Sequence, residues 1–170
     1  MSNNNNTLKE NLEYFHDKEV HIPTRSILLS GEVDLDTFNT FFKNLHILDQ
    51  SVGDVFVYIN SEGGDLDQGR AIYDLIKGCQ NHITGIVYGE ASSAASLILQ
   101  ACDKRRMSPS SYMMLHIGEE ATGGHPENKK RWDEKYTKDT EHLMDVYLER
   151  IKEKKPRFTK KKLTDILRFD

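Results

Sequence analysis

The 170-residue chain is poor in several features that would have narrowed its class at once. Cys79 and Cys102 are its only cysteines, and they lack C-x-x-C spacing. That excludes a disulfide framework and a zinc knuckle, and it suits a reducing, cytoplasmic setting with both thiols as small apolar residues. No apolar run approaches the roughly 20 residues of a membrane span. The start, MSNNNNTLKENL, has neither an apolar h-region nor an Arg-rich amphipathic pattern, so it reads as neither a secretory signal nor a transit peptide. The net charge of -4 offers no global basic field for nucleic acid. The histidines at positions 16, 21, 46, 82, 125 and 142 show no metal spacing, and no Lys-Ser/Thr follows Gly63-Gly64 as a phosphate loop requires. The basic cluster from Lys152 to Lys162 has Glu149, Glu153 and Asp165 around it and reads as a solvated face. A composition of 37% hydrophobic and 29% charged residues is that of one globular domain.

The apolar pattern supplies the elements. Ser26 to Gly31 reads as a buried strand. Phe38, Phe41, Phe42, Leu45 and Leu48 mark one helix face, with Asp34 or Asp36 as cap. Asp54 to Asn60 reads as a strand running into Ser61-Glu62-Gly63-Gly64, and a helix follows with Leu66, Ile72, Tyr73 and Ile76 on one side. Ile83 to Tyr88 is a strand ended by Gly89, Ala91 to Ala101 a helix, and Tyr112 to Leu115 a strand ending at His116. Ile117 to Glu127 reads as a loop. A helix is predicted from about Asn128 to Lys154 with a stripe of Trp132, Tyr136, Leu143, Tyr147 and Ile151, and Thr159 caps a last helix. Strands separated by helices imply an α/β fold with parallel pairing.

Three segments carry chemistry. In Gly89-Glu90-Ala91-Ser92-Ser93-Ala94-Ala95-Ser96, a serine stands at a helix start among small residues, where free N–H groups face a developing anion. Ile59-Asn60-Ser61-Glu62-Gly63-Gly64 offers paired glycines of the kind that supply oxyanion donors. Met113-Met114-Leu115-His116 ends a strand on a potential general base. Each segment by itself also reads as plain structure: a helix-start serine, an ordinary strand–helix turn, a core histidine.

In this order, Ile-Asn-Ser-x-Gly-Gly, Gly-x-Ala-x-Ser-Ala-Ala and Met-Leu-His resemble the Clp protease proteolytic subunit family, from about Arg25 to the end. Val57 to Asn60, Gly69, Ile72-Tyr73-Asp74 and Pro109 extend the match. The resemblance implies a spiral of strand–strand–helix units of the kind shared with crotonases, with a protruding handle helix at Trp132 to Ile151. It also implies an axial segment over 1–24, a peptidase domain over 25–170 and two stacked heptameric rings, homomeric or mixed with a related subunit. It implies a serine endopeptidase of unfolded polypeptides with Ser93 as nucleophile, His116 as base and Asp170 as the acid of the triad (Asp165 as fallback). Gly64 and Ala94 then match the oxyanion-hole donors, no cofactor or metal is used, and a separate AAA+ Clp unfoldase spends the ATP. The departures are Glu62 for the usual proline, Ser92 for alanine, Ile117-Gly118 for Gln-Pro, and a stretched interval from His116 to Asp170. The chain stops at Asp170, where family members continue, and a short polar segment stands in place of the axial hairpin. These features lead us to expect a shortened, divergent member, suited to a bacteriophage. The rival readings are a catalytically silent ring subunit and a crotonase-type acyl-CoA enzyme.

Overall fold

A computed structural model describes residues 13, 15, 17–116 and 126–167. The loop expected after Ile117 lies largely outside them, as do the Asn-rich start and Asp170. The chain forms two compact units, Met1–Met114 and Leu115–Asp170.

The first unit holds strands β1 (Val20–His21), β2 (Ser26–Val33), β3 (Val55–Gly64), β4 (Ile83–Ser92), β5 (Lys104–Met107) and β6 (Tyr112–Met114). Helices α1 (Leu35–Leu48), α2 (Leu66–Gly78) and α3 (Ala94–Ala101) alternate with β2 to β5. The sheet order is β1-β2-β3-β4-β5 with β6 also on β4, and among the described residues only β1 pairs antiparallel. The expected parallel α/β core is therefore present.

Local chemistry explains the elements. In β3, burial alternates for ten residues, so Val55, Val57, Ile59, Ser61 and Gly63 share the inner face. Asp34, not Asp36, caps α1, its carboxylate accepting the Thr37 N–H at 2.8 Å. Asp65 does the same for α2 through the N–H groups of Asp67 and Gln68. All eight residues of α3 are buried, which is why they are Ala, Ser, Leu, Ile and Gln. Each wholly buried Leu or Ile there contributes about 1.5–3 kcal/mol.

Three sequence expectations shift. The Gly63-Gly64 segment is not a turn beyond β3 but its last rungs, paired as Glu32↔Gly63 and Val33↔Gly64. Gly89 does not end β4. It lies in a bulge where Asn60 alone on β3 faces Tyr88 to Glu90, between the pairs Ile59↔Val87 and Ser61↔Ala91. The bulge lets β4 change partners, from β5 at Val87↔Met107 to β6 at Glu90↔Tyr112. Helix α3 accordingly starts at Ala94 rather than Ala91. Strand β5, Lys-Arg-Arg-Met, went unrecognised because a charged edge strand shows no apolar alternation.

The second unit holds α4 (Pro126–Lys152) and α5 (Lys160–Leu167), which are in contact. Pro126 belongs to the helix rather than to the preceding loop, since proline at a first helical position gives up no hydrogen bond. Thr159 caps α5 as expected, its hydroxyl accepting the Lys162 N–H at 3.3 Å. The α4 stripe is not an open face. Leu143 and Tyr147 are buried, with Met144 and Val146 beside them, Tyr136 and Ile151 are half-buried, and Trp132 is exposed.

Candidate active site

The end of β3, the turn from β4 into α3, and β6 meet around Ser93. The Ser93 backbone has φ 50° and ψ -121°, a conformation that side-chain-bearing residues avoid at a cost of about 1–3 kcal/mol. Its surroundings hold it there. The Ser93 N–H donates to the Met114 carbonyl of β6 at 2.9 Å. The Ser93 carbonyl accepts from the Ser96 N–H at 3.0 Å and from the Ser96 hydroxyl at 2.6 Å. A serine on a sharp strand-to-helix turn presents its hydroxyl at the helix N-terminus, the arrangement of a nucleophile elbow.

Ser92 is different. It is buried, and its hydroxyl donates to Glu90 Oε2 at 2.8 Å. Tyr112 on β6 donates to the same oxygen at 2.7 Å. These two hydrogen bonds, Tyr112 first, hold the Glu90 carboxyl below its ordinary range, and Glu90 pushes the Tyr112 phenol up. The Glu90 N–H donates to Asn60 Oδ1 at 3.2 Å.

Both glycines of β3 need positive φ, 94° at Gly63 and 150° at Gly64. Gly63 touches the serine turn: a Cβ there would lie 2.8 Å from the Ser93 Cβ and 2.9 Å from the Ala94 nitrogen. Gly64 closes on the other neighbour, and its Cβ would stand 2.5 Å from the Val33 carbonyl. Of the residues singled out in the sequence, Ser93 and Ala94 thus share one turn, with Gly63-Gly64 alongside. His116, half-buried, and Asp165, exposed, belong to the second unit, and Asp170 lies outside the described residues. The contact role of Gly63 and the group Asn60, Glu90 and Tyr112 were missed. The paired glycines pointed to the first, and no sequence signal joined the second. Among the described residues, no cluster of three or more His, Cys, Asp or Glu could hold a metal, and no helix is long and apolar enough to cross a membrane.

A parallel α/β core with a serine on a strained elbow beside a glycine pair defines a class of proteins built around one strand–helix turn. Within it, this chain belongs to the Clp protease family, whose model matches residues 11–167. It is 40% identical over 96 residues to the ATP-dependent Clp protease proteolytic subunit of Ligilactobacillus salivarius, covering 54% of this chain and 49% of that protein. It is 34% identical over 97 residues to proteolytic subunit 2 of Treponema denticola, covering 55% and 48%. The chain thus spans about half the length of these curated relatives. A ClpP1 mutant from Listeria monocytogenes shares the fold at a TM-score of 0.67 and 24% identity, covering 75% of this chain and 72% of that one.

Proposed function

We propose that this chain is a proteolytic subunit of an ATP-dependent Clp protease and hydrolyses unfolded polypeptides as a serine endopeptidase. The observation that carries the reading is the Ser93 elbow, with β3 glycine backbone pressed against it and Met114 of β6 bonded to it. His116 follows Met114 by two residues, so covalent length keeps its Cα within about 7 Å of that of Met114. His116 takes the proton as Ser93 Oγ attacks the carbonyl, and passes it to the leaving amine. Water then hydrolyses the acyl-enzyme by the reverse proton route. The backbone N–H groups of Gly64 and Ala94 hold the oxyanion, and Asp170 orients the imidazole. No cofactor takes part.

The proposal includes an axial segment at 1–24, a peptidase domain from residue 25 with α4 as handle, and assembly into stacked heptameric rings in the cytoplasm. An AAA+ unfoldase delivers substrate. Cys79 and Cys102 are free thiols, in keeping with a reducing compartment. A fluorophosphonate probe read by intact mass tests the chemistry. One adduct on the native chain, retained in Ser92→Ala and lost in Ser93→Ala, is expected. A native chain that takes no probe would instead be a silent ring subunit.

A further inference from the structure

Strand β6 is only three residues long and exposed throughout, so its backbone pairing to β4 is weak by itself. It nevertheless supplies the Met114 carbonyl that bonds the Ser93 N–H. Directly upstream, the bulge interrupts the ladder between Val87 and Glu90. Two side chains bridge the interruption: the Ser111 hydroxyl accepts the Gly89 N–H at 3.1 Å and donates to the Val87 carbonyl at 3.0 Å, and Glu90 joins β4 to β6 itself. Glu90 Oε2 receives the Ser92 hydroxyl of β4 at 2.8 Å and the Tyr112 hydroxyl of β6 at 2.7 Å. Glu90 is paired in register with Tyr112, and Ser92 with Met114. Its own N–H is tied to Asn60 Oδ1 of β3.

We propose that Glu90 is a positioning residue that clasps β6 to β4 and thereby holds Ser93 in its strained turn. The inference rests on the reading of Ser93 as nucleophile. A carboxylate suits the task because it only accepts, so two hydroxyl donors converge on one oxygen in charge-assisted bonds. The clasp fixes where β6 presents the Met114 carbonyl. That carbonyl is the partner that makes the positive φ of Ser93 tenable. With the clasp open, β6 drifts, Ser93 relaxes toward an ordinary backbone conformation, and its hydroxyl leaves the attacking position. A displacement of about 1 Å in a reacting group costs up to about a hundredfold in rate.

The test uses the full chain and two independent readouts. One is the saturating rate and half-saturation concentration for fluorophosphonate labelling. The other is hydrogen exchange of the Ser93 amide. Glu90→Ala is expected to slow the saturating rate about tenfold or more with half-saturation unchanged, and to speed Ser93 amide exchange about tenfold or more. Tyr112→Phe should give part of both effects, and Glu90→Ala/Tyr112→Phe should be no worse than Glu90→Ala alone, since both break one clasp. If Glu90→Ala does not fold, Tyr112→Phe and Glu90→Gln, which leave Ser92 a partner, decide the matter by the same readouts. A folded Glu90→Ala chain with wild-type amide exchange overturns the proposal. So does one that melts earlier yet labels at the wild-type rate, because Glu90 would then be merely stabilising. Probe retained in Ser93→Ala would sink the nucleophile reading, while amide exchange would still decide the clasp.

Discussion

Gly63 and Ser93 share one contact surface: a Cβ added to Gly63 would stand 2.8 Å from that of Ser93 and 2.5 Å from the Ser92 carbonyl. With φ at 94°, the position also disfavours any side chain. Gly63→Ala is therefore expected to destabilise the fold by about 2 kcal/mol or more and to abolish probe labelling. Gly31→Ala is the control. It too has positive φ, 71°, but open space around it, so it should cost only about 1 kcal/mol and leave labelling intact. Urea unfolding and labelling of both variants check this, and equal costs would contradict it.

Arg25 ties down the loop from α1 to β3. Its guanidinium donates to the carbonyls of Leu48 at 2.7 Å, Ser51 at 3.0 Å and Gly53 at 3.0 Å, and to the Ser51 hydroxyl at 2.7 Å. Arg25→Ala should lower stability by about 2–3 kcal/mol. Arg25→Lys should recover less than half, because one ammonium cannot reach the forked set of acceptors. The denaturation midpoints of the two variants measure the difference.

Asp49 gathers the segment after α2. It accepts from Cys79 Sγ at 2.9 Å, from Asn81 Nδ2 at 2.8 Å, and from the N–H groups of Gln80 and Asn81. These bonds, the Cys79 thiol first, lower the Asp49 pKa, while burial and then Asp49 raise that of Cys79 to about 11. The signs are opposite. The Asp49 contribution to stability is present above its ordinary carboxylate value and is lost as pH falls through the lower folded one. The Cys79 contribution is present below pH 9.0 and is lost as pH rises through about 11. Cys79 should therefore resist iodoacetamide at pH 8, and Asp49→Asn should speed its alkylation severalfold. Fast alkylation of the native chain at pH 8 would contradict this account.

The buried part of α4 separates folding from assembly. Tyr147 is 3% exposed and Trp132 57%. Tyr147→Asp is thus expected to disrupt the α4–α5 unit, not to free intact subunits, since it places a charge in a packed interior. Trp132→Asp should keep the fold and, if α4 is the ring-to-ring handle, weaken association. Circular dichroism with sedimentation velocity on both variants distinguishes the two effects. Unchanged association in Trp132→Asp would remove this helix face from the assembly.

The sequence by itself determined what depends on neighbours along the chain. Alternation placed β3, helical spacing and an acidic cap placed α1, and the order of three motifs identified the family. Burial periodicity and capping act within a few residues, so they can be read locally. Only the tertiary structure decided what depends on partners far along the chain. Whether β4 stops at Gly89 or bulges and goes on depends on Asn60 on one side and on the exchange of β5 for β6 on the other. Whether Gly63 or Gly64 meets the serine turn follows from the register of β3, because one step along a strand turns a residue to the opposite face. The surroundings of Ser92 and Ser93 came the same way. The Glu90 carboxylate takes the hydroxyl of Ser92, and the Met114 carbonyl holds the N–H of Ser93 in a backbone conformation that Ser93 would not adopt unaided.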